Sequence, residues 1–122
     1  MATREEVLAA TTIACKSEIV EDARLGGDGK VLIVELDSKA AVLLDESNFQ
    51  TVGTQRKVIR DGLYNARWIV ATARTLDGKP MFTADDIPAV GLFPTTLSEK
   101  LLEVAQRVNS IGVKPLADAV KN

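Results

Sequence analysis

Residues 61–90 read DGLYNARWIVATARTLDGKPMFTADDIPAV, a helix-length apolar segment running into an Asp-Gly turn and then a capped short helix. At about 100° per residue, a helix from Asp61 to about Thr75 carries Leu63, Ala66, Ile69, Val70 and Ala73 on one continuous arc. Tyr64, Trp68 and Ala71 fall on a second arc. Arg67 and Arg74 divide the two on one side, and Asp61, Asn65 and Thr72 on the other. One face packs on the protein's own core. The other needs the upstream hairpin, a neighbouring subunit or a partner, because aromatic rings are costly to leave in water. Tyr64, Trp68 and Ala71 are therefore the candidate protein-binding residues. Trp68→Ala separates the two uses of that arc: a client surface loses binding and keeps its fold, whereas a core position loses cooperative unfolding.

Downstream, Leu76 to Pro80 breaks the helix at a turn, and Thr83 with Asp86 has the spacing of a cap for a short helix. Pro88, Gly91 and Pro94 confine that helix to about two turns. Pro94, Thr95 and Thr96 then suit the start of the clearest amphipathic helix in the chain. Its stripe is Leu97, Leu101, Val104, Val108 and Ile111, with Glu99, Lys100, Glu103, Gln106 and Arg107 opposite. Gly112 is placed to end it and Pro115 to open a short final helix.

Upstream, Thr3 and Glu6 have capping-box spacing for a helix from about Arg4 to Cys15, with Leu8, Thr11 and Cys15 on a stripe, Val7 beside it, able to dock on a core. Glu18 to Leu25 and Lys30 to Leu36 flank Gly26, Gly27, Asp28 and Gly29, which reads as a β-hairpin. In its second arm Leu32, Val34 and Leu36 share one face and Val31, Ile33 and Glu35 the other, so both faces are at least partly covered. Asp37 and Ser38 can cap a short helix carrying Ala40 to Leu44, with Asp45 and Glu46 set unfavourably at its end. From Ser47 to Arg60 no period holds and Gly53 interrupts the stretch, so it reads as a connector; Arg56, Lys57 and Arg60 are a solvated basic surface. The whole is an α+β fold: an N-terminal helix and β-hairpin followed by a mainly helical C-terminal half. One domain spans 1–122, with a helix, hairpin and helix part over 1–46 and a helical part over 61–122, and no internal repeat.

The 122 residues, 46% of them hydrophobic and 26% charged with both signs interspersed, suit one soluble domain with a real core. No apolar run approaches the ~20 residues that cross a bilayer, and the residues after Met1 lack the pattern of a signal peptide. Cys15 is the sole cysteine, so no internal disulfide is expected and a reducing setting is the simplest reading. A net charge of −2 gives no electrostatic footprint for nucleic acid. No histidine is present, which removes imidazole relays, catalytic triads and the common zinc sites. The adjacent acids Asp85-Asp86 and Asp45-Glu46 point apart on a helix and read as helix-end or surface charge. Asp77-Gly78 lacks the ligand series of a calcium loop and is a turn. The glycines at 26, 27 and 29 lack the context of a phosphate loop. A helix-turn-helix reading around Gly91 fails on the mixed charge of the following helix. No enzyme, metal or cofactor is expected, and protein partners are favoured by elimination.

In order and spacing, the segment from Gly62 to Gly91 resembles the tail assembly chaperones of long-tailed bacteriophages and prophages. That family has an apolar helix bearing an early Arg, here Arg67, ending in an Asp-Gly turn. A phrase of the type pro-leu-phe-thr-x-x-asp follows, matched here by Pro80-Met81-Phe82-Thr83-Ala84-Asp85-Asp86. An acidic short helix and a long helix come next, and Ser110-Ile111-Gly112 stands near a frequent Ser-Gly-Leu. The likeness covers Gly62 to Asn122 well and is looser upstream. The stretch Ser47 to Arg60 matches nothing in it, and Asn109 and Ile111 replace more usual residues.

The resemblance implies a factor of the host cytoplasm, absent from the finished virion, that forms homo-oligomers. It would coat the helical tape measure protein and keep it soluble until major tail tube subunits polymerise around it. A virion subunit such as a head–tail completion or tail terminator protein is the first alternative, and a small nucleic-acid-binding regulator the second.

Overall fold

The computed structural model describes residues 1–9 and 16–109. The expectations placed on Thr11, Cys15, Ser110, Ile111, Gly112 and Pro115 lie outside these residues. The fold is α+β, as the sequence predicts. Helix α1 (Arg4–Leu8) precedes a hairpin of β1 (Ser17–Glu21) and β2 (Lys30–Val34), then α2 (Ser38–Asn48). A second hairpin, β3 (Phe49–Val52) and β4 (Gln55–Val58), leads to α3 (Tyr64–Thr72) and the two-residue strand β5 (Ala73–Arg74). The short α4 (Ile87–Val90) and long α5 (Thr95–Val108) complete it.

The first sheet is antiparallel with order β1-β2-β5, and α5 packs across it. Ser17 pairs with Val34 and Glu21 with Lys30, so Val20, Val31 and Ile33 are buried on the α5 side. There they meet Leu97, Leu101, Val104, Ala105 and Val108, the expected α5 stripe as far as it is described. The polar side of α5 also ties the layers together. Arg107 pairs with Glu18 at 2.6 Å, and the Lys100 ammonium donates to the Glu21 carbonyl at 2.7 Å.

The caps fall where the residue types place them. Thr3 and Glu6 form a capping box, Asp37 accepts from Ala40 N–H at 2.7 Å, and Asp86 accepts from Thr83 N–H at 2.9 Å. The Asp-Gly turn is closed by Thr75 N–H on the Lys79 carbonyl at 2.8 Å.

Four expectations are corrected. The connector Ser47 to Arg60 holds the second hairpin. Gly53, at φ 65°, supplies the positive φ that its two-residue turn needs, rather than interrupting a strand. Secondly, α2 is not short: it runs on through Asp45 and Glu46 to Asn48, and Asp45 is neutralised by an ion pair with Arg56. Thirdly, the helix expected over Asp61 to Thr75 is shorter at both ends. Gly62 at φ 78° and the Asp61 carboxylate accepting from Leu63 N–H delay its start. At the other end Ala73 and Arg74 leave the helix to pair with Ile33 and Leu32, because the open edge of β2 offers them ladder partners. Fourthly, Val7 and Leu8 are exposed, so the described part of the α1 stripe does not dock on the core.

The turn between β1 and β2 carries the most perturbed acid. Asp22 accepts from the Arg24 side chain at 2.8 and 2.9 Å and from its backbone N–H, and pairs with Lys100 at 3.3 Å. The bonds from Arg24, reinforced by Lys100, hold its carboxyl well below the usual carboxylate range. A depressed folded value stabilises the fold above the ordinary aspartate value of about 3.9, and that stabilisation is lost as pH falls toward the folded value. Asp22→Asn should therefore melt below wild type at neutral pH, with the gap narrowing once pH drops under about 4. Paired melting curves from neutral pH into acid check this.

Candidate functional site

Two of the elements that frame the site are joined by a polar network. Arg67, on α3, has a side chain only 15% exposed. Its guanidinium makes a two-pronged ion pair with Asp61 and donates to Asn48 Oδ1 at 3.2 Å, at the end of α2. The bonds from Arg67, with that from Leu63 N–H, hold the Asp61 carboxyl below its ordinary value. Asn48 is 1% exposed, and its carbonyl accepts from Ile59 N–H at 2.8 Å, which brings the end of the second hairpin into the same network. A carboxylate and an amide satisfying one nearly buried cation fix α2 against α3.

That docking opens a cleft of about 300 Å³ between α2 and α3, at the small end of the range of ~300–1,000 Å³ for ligand clefts. Leu36, Ala41, Leu44, Phe49, Tyr64 and Trp68 give it an apolar lining; Glu35, Ser38, Asp45, Asn48 and Asn109 give the polar part. Leu44, Asn48 and Trp68 are buried and lie deep, whereas Ser38, Ala41 and Asp45 are exposed and form the mouth. Phe49 meets Tyr64 edge to face with ring centroids 6.4 Å apart. The Arg56 guanidinium lies 3.8 Å from the Phe49 ring centroid and pairs with Asp45, covering the outer side of the aromatic pair.

The arc of Tyr64, Trp68 and Ala71, which needs cover from the hairpin, a neighbouring subunit or a partner, finds that cover inside the chain. Trp68 is 8% exposed and belongs to the core; Tyr64 and Ala71 are half-buried. The cover is α2 with Phe49, not the first hairpin, because α2 runs long enough to lie along α3. Tyr64 and Trp68 line the cleft and Ala71 does not. Sequence reasoning gave no part to Leu36, Ala41, Leu44, Asn48, Phe49 or Asn109. They come from α2, β3, the link before α2 and the residue after α5, and the bonds that assemble them join residues 19 and 73 positions apart, beyond any local period.

A second apolar cleft, of about 420 Å³, lies on another side between the first turn and the start of α5. Leu25, Val31, Met81, Phe82, Phe93 and Leu97 line it, with Arg24, Lys30 and Pro94. Met81 and Phe82 of the Pro80 to Asp86 phrase thus serve this cleft, not the one beside Trp68. Among the described residues, no group of three or more acidic or cysteine side chains converges as a metal site, and no helix is long and apolar enough to cross a membrane.

No family model matches the sequence, and neither does any curated protein. The fold, however, is similar to the solved structure of the bacteriophage HK97 tail assembly chaperone. The TM-score is 0.58 over 84% of this chain and 96% of that one, at 19% sequence identity. The two proteins share a fold. The resemblance read from Gly62 onward thus holds at the level of fold, and it extends upstream of Gly62, since 84% of the chain is matched.

Proposed function

We propose that this protein is a phage tail assembly chaperone that binds the tape measure protein and keeps it soluble during tail morphogenesis. The fold shared with the HK97 chaperone carries the reading. The cleft between α2 and α3 supports its location on this chain: it pairs an apolar aromatic lining with polar groups at the mouth. An extended helical client offers regularly spaced apolar side chains, and such a cleft accepts one of them as an anchor while the rest of the helix lies across α2. The exposed Val42 and Leu43 of α2 add apolar surface for that contact. In this reading the protein works in the host cytoplasm, hands its client to tail tube subunits and is absent from finished particles.

The test is co-expression with the tape measure gene of the same locus. Wild-type protein should co-purify with soluble tape measure protein. Ala41→Phe places a ring in the mouth of the cleft from an exposed helix position, at a propensity cost of only a few tenths of a kcal/mol. The variant should melt as wild type does and recover about tenfold less client, equivalent to about 1.4 kcal/mol. Absence of any complex with wild-type protein, or its presence in purified particles, would count against a chaperone and for a virion subunit.

A further inference from the structure

We infer that residues 110–122 of this same chain occupy the cleft between α2 and α3 and cover Trp68 until a client displaces them. The docking stands apart from the client reading; the regulation it gives rests on the function proposed above.

The point at which the segment leaves the fold puts the cleft within its reach. Asn109, the residue before it, lines the cleft and is held there by its bonds to Leu36 N–H and to the Val34 and Ala105 carbonyls. The segment therefore starts at the cleft wall. Leu116, seven residues on, lies within about 25 Å of that wall if the chain is extended, and within about 10 Å if it is helical.

The residues of the segment match the cleft in apolarity and in charge. Pro115 suits the start of a helix, on which Leu116, Ala117 and Val120 fall within about 100° of one another, with Lys121 beside them and Lys114 just ahead of the proline. Two lysines against Asp118 leave the segment net positive. The cleft presents Leu44, Tyr64 and Trp68 to the apolar face, and its charged lining residues, Glu35 and Asp45, are both acids. Asp45 is neutralised by Arg56. Glu35 accepts from Lys16 N–H and Asp37 from Ala40 N–H, but among the described residues neither carboxylate has a cation within ion-pair distance. Lys114 and Lys121 supply that charge, while the apolar face takes the place of water on the lining.

A segment tethered at the cleft wall competes with any client for the same apolar surface. Filling the cleft about nine-tenths of the time, it lowers the apparent affinity for client about tenfold. Weak ligands are thereby kept out.

The experiment uses the full chain, and Trp68, its sole tryptophan, reports on the cleft through its emission. Without client, the paired substitution Leu116→Asp and Val120→Asp should move the emission to longer wavelength at unchanged far-ultraviolet circular dichroism. The same variant should bind tape measure protein about tenfold more tightly than wild type. A synthetic peptide of residues 110–122 should restore the wild-type emission of the variant, and a peptide with Asp at both positions should not. An emission unmoved by the paired substitution, or not restored by the wild-type peptide, would overturn the inference. A wild-type emission that changes on dilution would assign the segment to the cleft of a second copy, and overturn it as well. A shifted emission in the variant, with no client complex from either protein, would support the docking and overturn the proposed function.

Discussion

Trp68→Ala is expected to cost about 3–5 kcal/mol of unfolding free energy, the range for removing a buried large aromatic. The indole is 8% exposed and packs in the core cluster between α3 and α2, beside Leu44. Truncation loses its buried area and extends the neighbouring cleft inward. A domain of this size has only about 5–15 kcal/mol in total, so the variant should sit close to its unfolding threshold. Urea unfolding followed by far-ultraviolet circular dichroism measures the loss without relying on the removed fluorophore. A cost under about 1 kcal/mol would place Trp68 at a surface. Client binding is accordingly tested at Ala41, which can be changed without opening the core.

The second large effect is at Asn109, just past the end of α5. Its Oδ1 accepts from Leu36 N–H at 2.8 Å, and its Nδ2 donates to the Val34 carbonyl at 3.2 Å and the Ala105 carbonyl at 2.8 Å. The side-chain amide imitates a peptide group, pairing with the chain where β2 has left its ladder and holding the end of α5 there. Asn109→Ala leaves Leu36 N–H and the Val34 carbonyl without these partners at a half-buried position, and an unmade bond of this kind costs about 1–3 kcal/mol. The expected loss is about 2 kcal/mol, because the adjacent cleft lets water recover part of it. Asn109→Asp should be at least as damaging, since it keeps the acceptor but removes both donors. Denaturant midpoints of the two variants against wild type check the ordering. This residue departs from the pattern that the sequence resembles, and the structure gives the departure a role.

The parts of the fold legible in the sequence are those whose cause is local. Thr3 with Glu6, Asp37, and Thr83 with Asp86 mark helix starts because each satisfies backbone donors within three residues. The stripe on α5 is legible because one side of the helix lies on a sheet and the other in water. The second hairpin was not, because β3 and β4 carry Gln50, Thr51, Gln55, Arg56 and Lys57 with little buried on either side, so no alternation marks them. Nor could the sequence show that α3 stops at Thr72, which depends on a free edge of β2 some 40 residues earlier.

The same division holds at the site. Two apolar arcs on one helix correctly singled out Trp68 as a residue that needs cover, but the cover itself is α2, whose buried positions are only Leu44 and Asn48. One of these is polar, and its partner Arg67 lies 19 residues away. A helix that docks through an amide and a single leucine leaves almost no hydrophobic signature, so the cleft it forms could not be located in advance.

The central claim is that a client helix anchors in the cleft beside Trp68, and the sole tryptophan of the chain allows a direct measurement. Protein labelled with 5-fluorotryptophan should give one fluorine resonance. Adding unlabelled tape measure protein should shift or broaden that resonance in the wild type, and in Ala41→Phe the same response should need about tenfold more client. A complex that forms while the Trp68 resonance stays unchanged would contradict the account and put the client elsewhere on the molecule.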